Sequence, residues 1–117
     1  MFDPTDPYTP MDVNEYRALR EAGTPHLLVD VREVYEYEEA RIPGSVLMPL
    51  DEIMHRADEL ADHQTIVLVC RSGGRSAMAA FGLRDAGLTE HTLYNLEGGV
   101  MAWVQDGHPY DSGPEGQ

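Results

Sequence analysis

Thr65-Ile66-Val67-Leu68-Val69-Cys70-Arg71-Ser72-Gly73-Gly74-Arg75-Ser76-Ala77-Met78-Ala79-Ala80-Phe81-Gly82-Leu83 is the stretch from which the rest of the chain is read. Its first five residues are apolar and β-branched, the pattern of a strand buried on both faces. Its last residues predict a helix that runs from Ser76 to Ala86 and is capped by Gly87. Cys70, the single cysteine, therefore stands where a strand ends and a short loop bends into a helix. Paired glycines let such a loop curl so that successive N–H groups point inward. The helix N-terminus adds partial positive charge at the same place. Arg71 and Arg75 add full charges on guanidinium groups that can fork onto an oxyanion. An anion belongs in that bowl, and a thiolate is an anion. The bland alternative is a small buried hydrophobe ending a strand. The glycines and arginines favour a reactive thiol with a lowered pKa.

Outward from this stretch, strands and helices alternate. Residues 1–10 read as a flexible lead-in, because they hold three prolines and two aspartates. Asp12 and Glu15 form a capping-box pattern, with Val13, Tyr16 and Leu19 on the apolar face of a short helix ended by Gly23 and Pro25. Leu27-Leu28-Val29 reads as a short strand finishing at Asp30. A helical turn or two is expected over Glu33–Glu39, with Glu36, Glu38 and Glu39 as a solvated face. Pro43-Gly44 is a turn, and Val46-Leu47-Met48 a strand. Asp51–Leu60 places Ile53, Ala57 and Leu60 at helical spacing. Thr92–Leu96 is a further strand, and Gly98-Gly99 a tight turn opening a helix that holds Met101, Trp103 and Val104. Trp103 and the six methionines read as core and gap-filling residues. The organisation expected is one domain over residues 11–110 and a flexible tail over 111–117. The fold class is α/β, with a mostly parallel central sheet and helices on both faces. In such sheets ligands bind beyond the carboxyl ends of strands, where both Asp30 and Cys70 lie.

Composition narrows the function. The chain has 117 residues and a net charge of −13, and all eight basic residues are arginine. A surface this acidic repels nucleic acid and anionic membranes, and is read as a solubility device in preference to a face for a basic partner. Two of those eight arginines follow Cys70 and offset the field locally. There is no signal pattern and no bilayer-spanning apolar run, so a cytoplasmic protein is expected. One cysteine excludes an internal disulfide, a cysteine-based metal cluster and a resolving thiol within the chain. The five histidines stand at no metal-ligand spacing, and no cofactor is expected.

Three motifs in order resemble the rhodanese (sulfurtransferase) family. They are Val29-Asp30-Val31-Arg32 with Glu36-Tyr37 and Ile42-Pro43-Gly44-Ser45; then Cys70-Arg71-Ser72-Gly73-Gly74-Arg75-Ser76; then Asn95-Leu96-Glu97-Gly98-Gly99 with Trp103, Gly107 and Pro109. Ala40-Arg41 stands where the family usually has Gly-His, and Leu47 where it often has Asn. The resemblance implies a rhodanese-like domain that moves sulfane sulfur from a donor such as thiosulfate, through a persulfide on Cys70, to a thiol or cyanide acceptor, and possible service to a sulfur-accepting protein. It implies that the amides of Arg71 to Ser76 hold the persulfide, that Arg71 and Arg75 hold the donor oxyanion, and that Asp30 and Arg32 brace the loop. Two other functions fit the same residues. One is a non-catalytic interaction module on the same fold. The other is a phosphatase or arsenate reductase, disfavoured because related phosphatases have one residue more before the arginine.

Overall fold

In the computed structural model, which describes residues 7–114, Thr65–Val69 is the middle strand of the sheet, as its composition requires. The elements in chain order are β1 (Thr9–Met11), α1 (Val13–Glu21), β2 (Leu27–Asp30), α2 (Val34–Glu39), β3 (Val46–Leu47), α3 (Leu50–Ile53), α4 (Ala57–Leu60), β4 (Thr65–Val69), α5 (Gly74–Asp85), β5 (Thr92–Leu96) and α6 (Gly99–Gln105). The five strands run in the order β1-β5-β4-β2-β3, and every pairing is parallel.

Alternation along β4 assigns its side chains to two cores. Ile66, Leu68 and Cys70 face a cluster with Ile53, Leu60, Ala79, Ala80 and Leu83, so this side is covered by α3, α4 and α5. Val67 and Val69 face Tyr16, Leu28, Ile42, Val100 and Trp103, so the other side is covered by α1 and α6. A strand buried on both faces needs a continuous apolar run, which β4 has. The capping box at α1 is made in both directions, with Glu15 N–H donating to Asp12 at 2.8 Å and Asp12 N–H to Glu15 at 3.0 Å.

Several expectations change. Residues 9 and 10 are not a loose lead-in: Thr9–Met11 pairs with Tyr94–Leu96, and Arg84 ties Pro7 O at 2.9 Å. Residues 1–6 of the expected lead-in lie outside the described residues. The expected tail is held where it begins. Asp111 bridges Arg41, and Gly113 O accepts from the Arg41 guanidinium at 2.7 Å; residues 115–117 of that tail are outside the described residues. The helix read over Asp51–Leu60 is broken by a 3-10 turn at Met54–Arg56, although Ile53, Ala57 and Leu60 all point inward as spaced. Helix α5 begins at Gly74, two residues before Ser76. Met11 and Met48 are buried, whereas Met54, Met78 and Met101 are exposed.

Candidate active site

Cys70 follows the last residue of β4 and is 1% exposed. The chain then turns at Gly73, whose φ of +124° few side-chain-bearing residues adopt. That turn aims the Gly73 N–H back at Cys70 Sγ, at 3.0 Å. The Ser76 hydroxyl lies 3.4 Å from the same sulfur. Burial alone pushes the thiol up. It is outweighed by the Ser76 hydroxyl and by the amides of Ser76, Gly73 and Ser72, so that Cys70 titrates below the ordinary thiol range. The charge that stabilises the thiolate is thus the partial charge of a loop and a helix start, delivered at short range.

Ser76 is itself positioned. Its hydroxyl meets Asn95 Oδ1 in a short contact, while Asn95 Nδ2 donates to Gly73 O at 3.1 Å and to Glu97 Oε2 at 2.7 Å. Because the amide nitrogen is committed to these two oxygens, the carbonyl oxygen faces Ser76. One hydroxyl proton serves one acceptor at a time, so Ser76 divides among Asn95, Gly73 O at 3.2 Å and the sulfur. From the opposite side α6 clamps the loop, with Val100 N–H donating to Cys70 O at 2.9 Å and Met101 N–H to Arg71 O at 3.1 Å. Gly99 makes this approach possible. A Cβ there would overlap the carbonyl oxygens of both Cys70 and Arg71.

The arginines divide. Arg75 is held by Glu36 in a two-pronged pair, Nη1 to Oε1 at 2.7 Å and Nη2 to Oε2 at 2.8 Å. The Arg75 hydrogen bonds hold the Glu36 carboxyl down to about 2. The Arg71 guanidinium has no hydrogen bond or ion pair among the described residues. It lines a cleft of about 260 Å³ between α2 and α6, together with Tyr35, Glu39 and Val104.

Asp30 and Arg32 form a buried pair, Nε to Oδ1 at 2.9 Å and Nη2 to Oδ2 at 2.8 Å. Arg32 Nη2 goes on to Ala40 O at 2.7 Å, so the pair fastens the C-terminal end of α2. Among the described residues neither side chain hydrogen-bonds the cysteine loop, and α2 in turn carries Glu36 to Arg75.

The structure therefore brings Cys70, Ser72, Gly73 and Ser76 together, with Gly74 opening the helix that follows. It leaves Arg71 at the cleft and ties Arg75 to Glu36. Reading Glu36 as part of a solvated face is corrected: it is buried, while its neighbours Tyr35 and Glu39 are exposed. Asn95 and Glu97 were legible only as parts of a motif, because their partners are side chains and carbonyls remote in sequence.

Comparison with known proteins agrees with this geometry. The family model of the rhodanese-like domain matches residues 12–106. A Bacillus subtilis protein (YrkF), named for a proposed sulfur-carrier role, is 42% identical over 77 residues; these are 66% of this chain and only 40% of that protein. A sulfurtransferase of Allochromatium vinosum is 37% identical over 90 residues, 77% of this chain and 81% of that one. The crystal structure of a thiosulfate sulfurtransferase from Pseudomonas aeruginosa superposes with a TM-score of 0.80 at 26% identity, covering 92% of this chain and 21% of that one.

Proposed function

The chain belongs to the rhodanese-like domain family, and we propose that it is a sulfurtransferase working through a persulfide on Cys70. The observation that carries this reading is the buried Cys70 sulfur, met at 3.0 Å by the Gly73 amide and held below its ordinary titration range. A binding module needs no such thiolate, and the sulfurtransferase of Allochromatium vinosum is among the chain's relatives. We place the protein in the cytoplasm, where a lone reduced thiol persists; no helix among the described residues is long and apolar enough to cross a membrane.

The chemistry has two steps. The Cys70 thiolate attacks the outer sulfur of thiosulfate. An Sγ–S bond forms, the S–S bond of the donor breaks, and its electron pair leaves on sulfite. The terminal sulfur of the resulting persulfide is an anion, and the amides of Ser72, Gly73 and Ser76 hold it as they held the thiolate. A thiophilic acceptor then attacks that sulfur. With cyanide, a C–S bond forms, the Sγ–S bond breaks, thiocyanate leaves and the thiolate returns. Sulfur oxidation states balance within donor and acceptor, so no redox cofactor takes part. Asp30 and Arg32 serve by fixing α2.

A second reading is that the persulfide waits on Cys70 for a partner protein. The slight exposure of Cys70 favours it, since a shielded persulfide outlives an open one, and so does the likeness to a protein named for sulfur carriage. Thiocyanate formation from cyanide separates the possibilities. Multiple turnovers with thiosulfate, abolished by Cys70→Ser, support the enzyme; one sulfur per chain and no turnover supports the carrier. Failure to take sulfur from any sulfane donor contradicts both.

A further inference from the structure

Seven of the eight arginines are engaged. Arg32, Arg56 and Arg75 hold carboxylates at 2.9 Å or closer. Arg17 makes a looser pair with Glu21. Arg20, Arg41 and Arg84 donate to backbone carbonyls. The Arg71 guanidinium alone has no partner among the described residues; Arg71, the residue after Cys70, is exposed and lines the cleft between α2 and α6. Arg75, the other arginine of the loop, has its full fork committed to Glu36. On the far shoulder of the loop stands Glu97, whose Oε2 would lie 3.6 Å from a Cβ at Gly73. Glu39 lines the cleft. A donor reaching Cys70 therefore meets one uncompensated cation among several carboxylates, on a chain of net charge −13.

We propose that Glu36 sets the charge selectivity of this cradle: by holding Arg75 it leaves Arg71 as the one arginine of the cysteine loop with no side-chain partner among the described residues, and so favours sulfane donors bearing one negative charge over dianionic thiosulfate. This rests on the sulfurtransferase reading above. A dianion draws more from a second cation than a monoanion does, and loses more when that cation is neutralised. A donor that pulls Arg75 toward itself must first break a two-pronged charged pair and leave Glu36 unpaired. Glu36 is thus a positioning residue acting through Arg75, and Arg71 is the arginine that touches the donor.

Two donors of nearly the same shape read the charge. Methanethiosulfonate carries one negative charge and thiosulfate two. With either, the Cys70 thiolate forms the Sγ–S bond, and the donor leaves as methanesulfinate or as sulfite. We expect a higher kcat/KM for methanethiosulfonate in the native chain. Glu36→Gln keeps the side-chain length and frees the Arg75 charge. It should raise kcat/KM for thiosulfate about tenfold relative to methanethiosulfonate, chiefly through KM. Arg75→Gln leaves Glu36 unpaired and should move the ratio the other way. A ratio that is the same in all three proteins overturns the proposal while leaving the sulfurtransferase reading intact. If neither donor delivers sulfur, that reading fails, and alkylation of Cys70 still decides the charge claim. Glu36→Gln should raise the rate of anionic iodoacetate relative to neutral iodoacetamide, and an unchanged ratio overturns it.

Discussion

At Cys70 the favourable and unfavourable effects oppose each other within one side chain. A 1% exposed thiol would ordinarily stay protonated, because burial penalises the thiolate. The Ser76 hydroxyl and the three amides reverse that, and they do so without a base. The direction of the shift gives a prediction. Iodoacetamide should modify Cys70 with a midpoint below the ordinary thiol value of about 8.5. Measuring the alkylation rate against pH checks it, and a midpoint at or above the ordinary value would remove the amide cradle from the account. A folded-state pKa lowered in this way also means that the thiolate favours folding at pH above its unfolded value, and that this contribution fades as pH falls through the folded value.

At the scale of elements, the loop is held between two helices, and each hold can be tested. Gly99 sits at φ +62°, and any Cβ there meets the Cys70 and Arg71 carbonyls. Gly99→Ala should cost about 1–3 kcal/mol from strain and overpacking. It should also displace the α6 clamp and raise the Cys70 alkylation midpoint; an unchanged melting temperature and midpoint would show that α6 does not fix the loop. The second hold is α2 through Glu36. Its carboxyl falls from the ordinary 4.5 to about 2 because Arg75 hydrogen-bonds the ionised form. A depressed carboxyl contributes stability that is complete above its unfolded value and is lost as pH falls from near 4.5 toward 2. Glu36→Gln should therefore flatten the acid limb of stability in that window, measured by thermal melting from pH 6 downward in about half-unit steps. Parallel acid limbs in both proteins would contradict the pairing.

These two holds also mark what the sequence could disclose. The β4–loop–α5 unit was readable because its signals are local: a β-branched run, adjacent glycines and a helix-forming segment. The α1 capping box spans three residues and was equally plain. Glu36 was not, because its partner lies 39 residues away and three acidic residues crowd one short helix with nothing to say which turns inward. Asp30 and Arg32 were expected to brace the loop, but the link to Ala40 O was not legible, since that carbonyl is met only after the chain has folded back. The break at Met54–Arg56 carries no glycine or proline to announce it.

For the whole molecule, β1 was missed for a physical reason. Proline removes a ladder donor, so Thr9-Pro10-Met11 reads as non-strand; an edge strand has one side unpaired and tolerates it. In its place β1 covers the flank of β5, the strand that carries Asn95 to the site. Removing residues 1–11 should expose that edge, lose the Arg84 tie to Pro7 O and lower the melting temperature, with self-association detected by light scattering. A truncated chain that melts like the full one and scatters light no more than it would make β1 dispensable.

The reading as a whole requires that a sulfur atom reside on Cys70. Intact-protein mass spectrometry before and after incubation with thiosulfate and with methanethiosulfonate, alongside Cys70→Ser, tests this most directly. The account predicts a gain of one sulfur in the native chain only, reversed by cyanide. No gain from any sulfane donor, with Cys70 still open to alkylation, would contradict it.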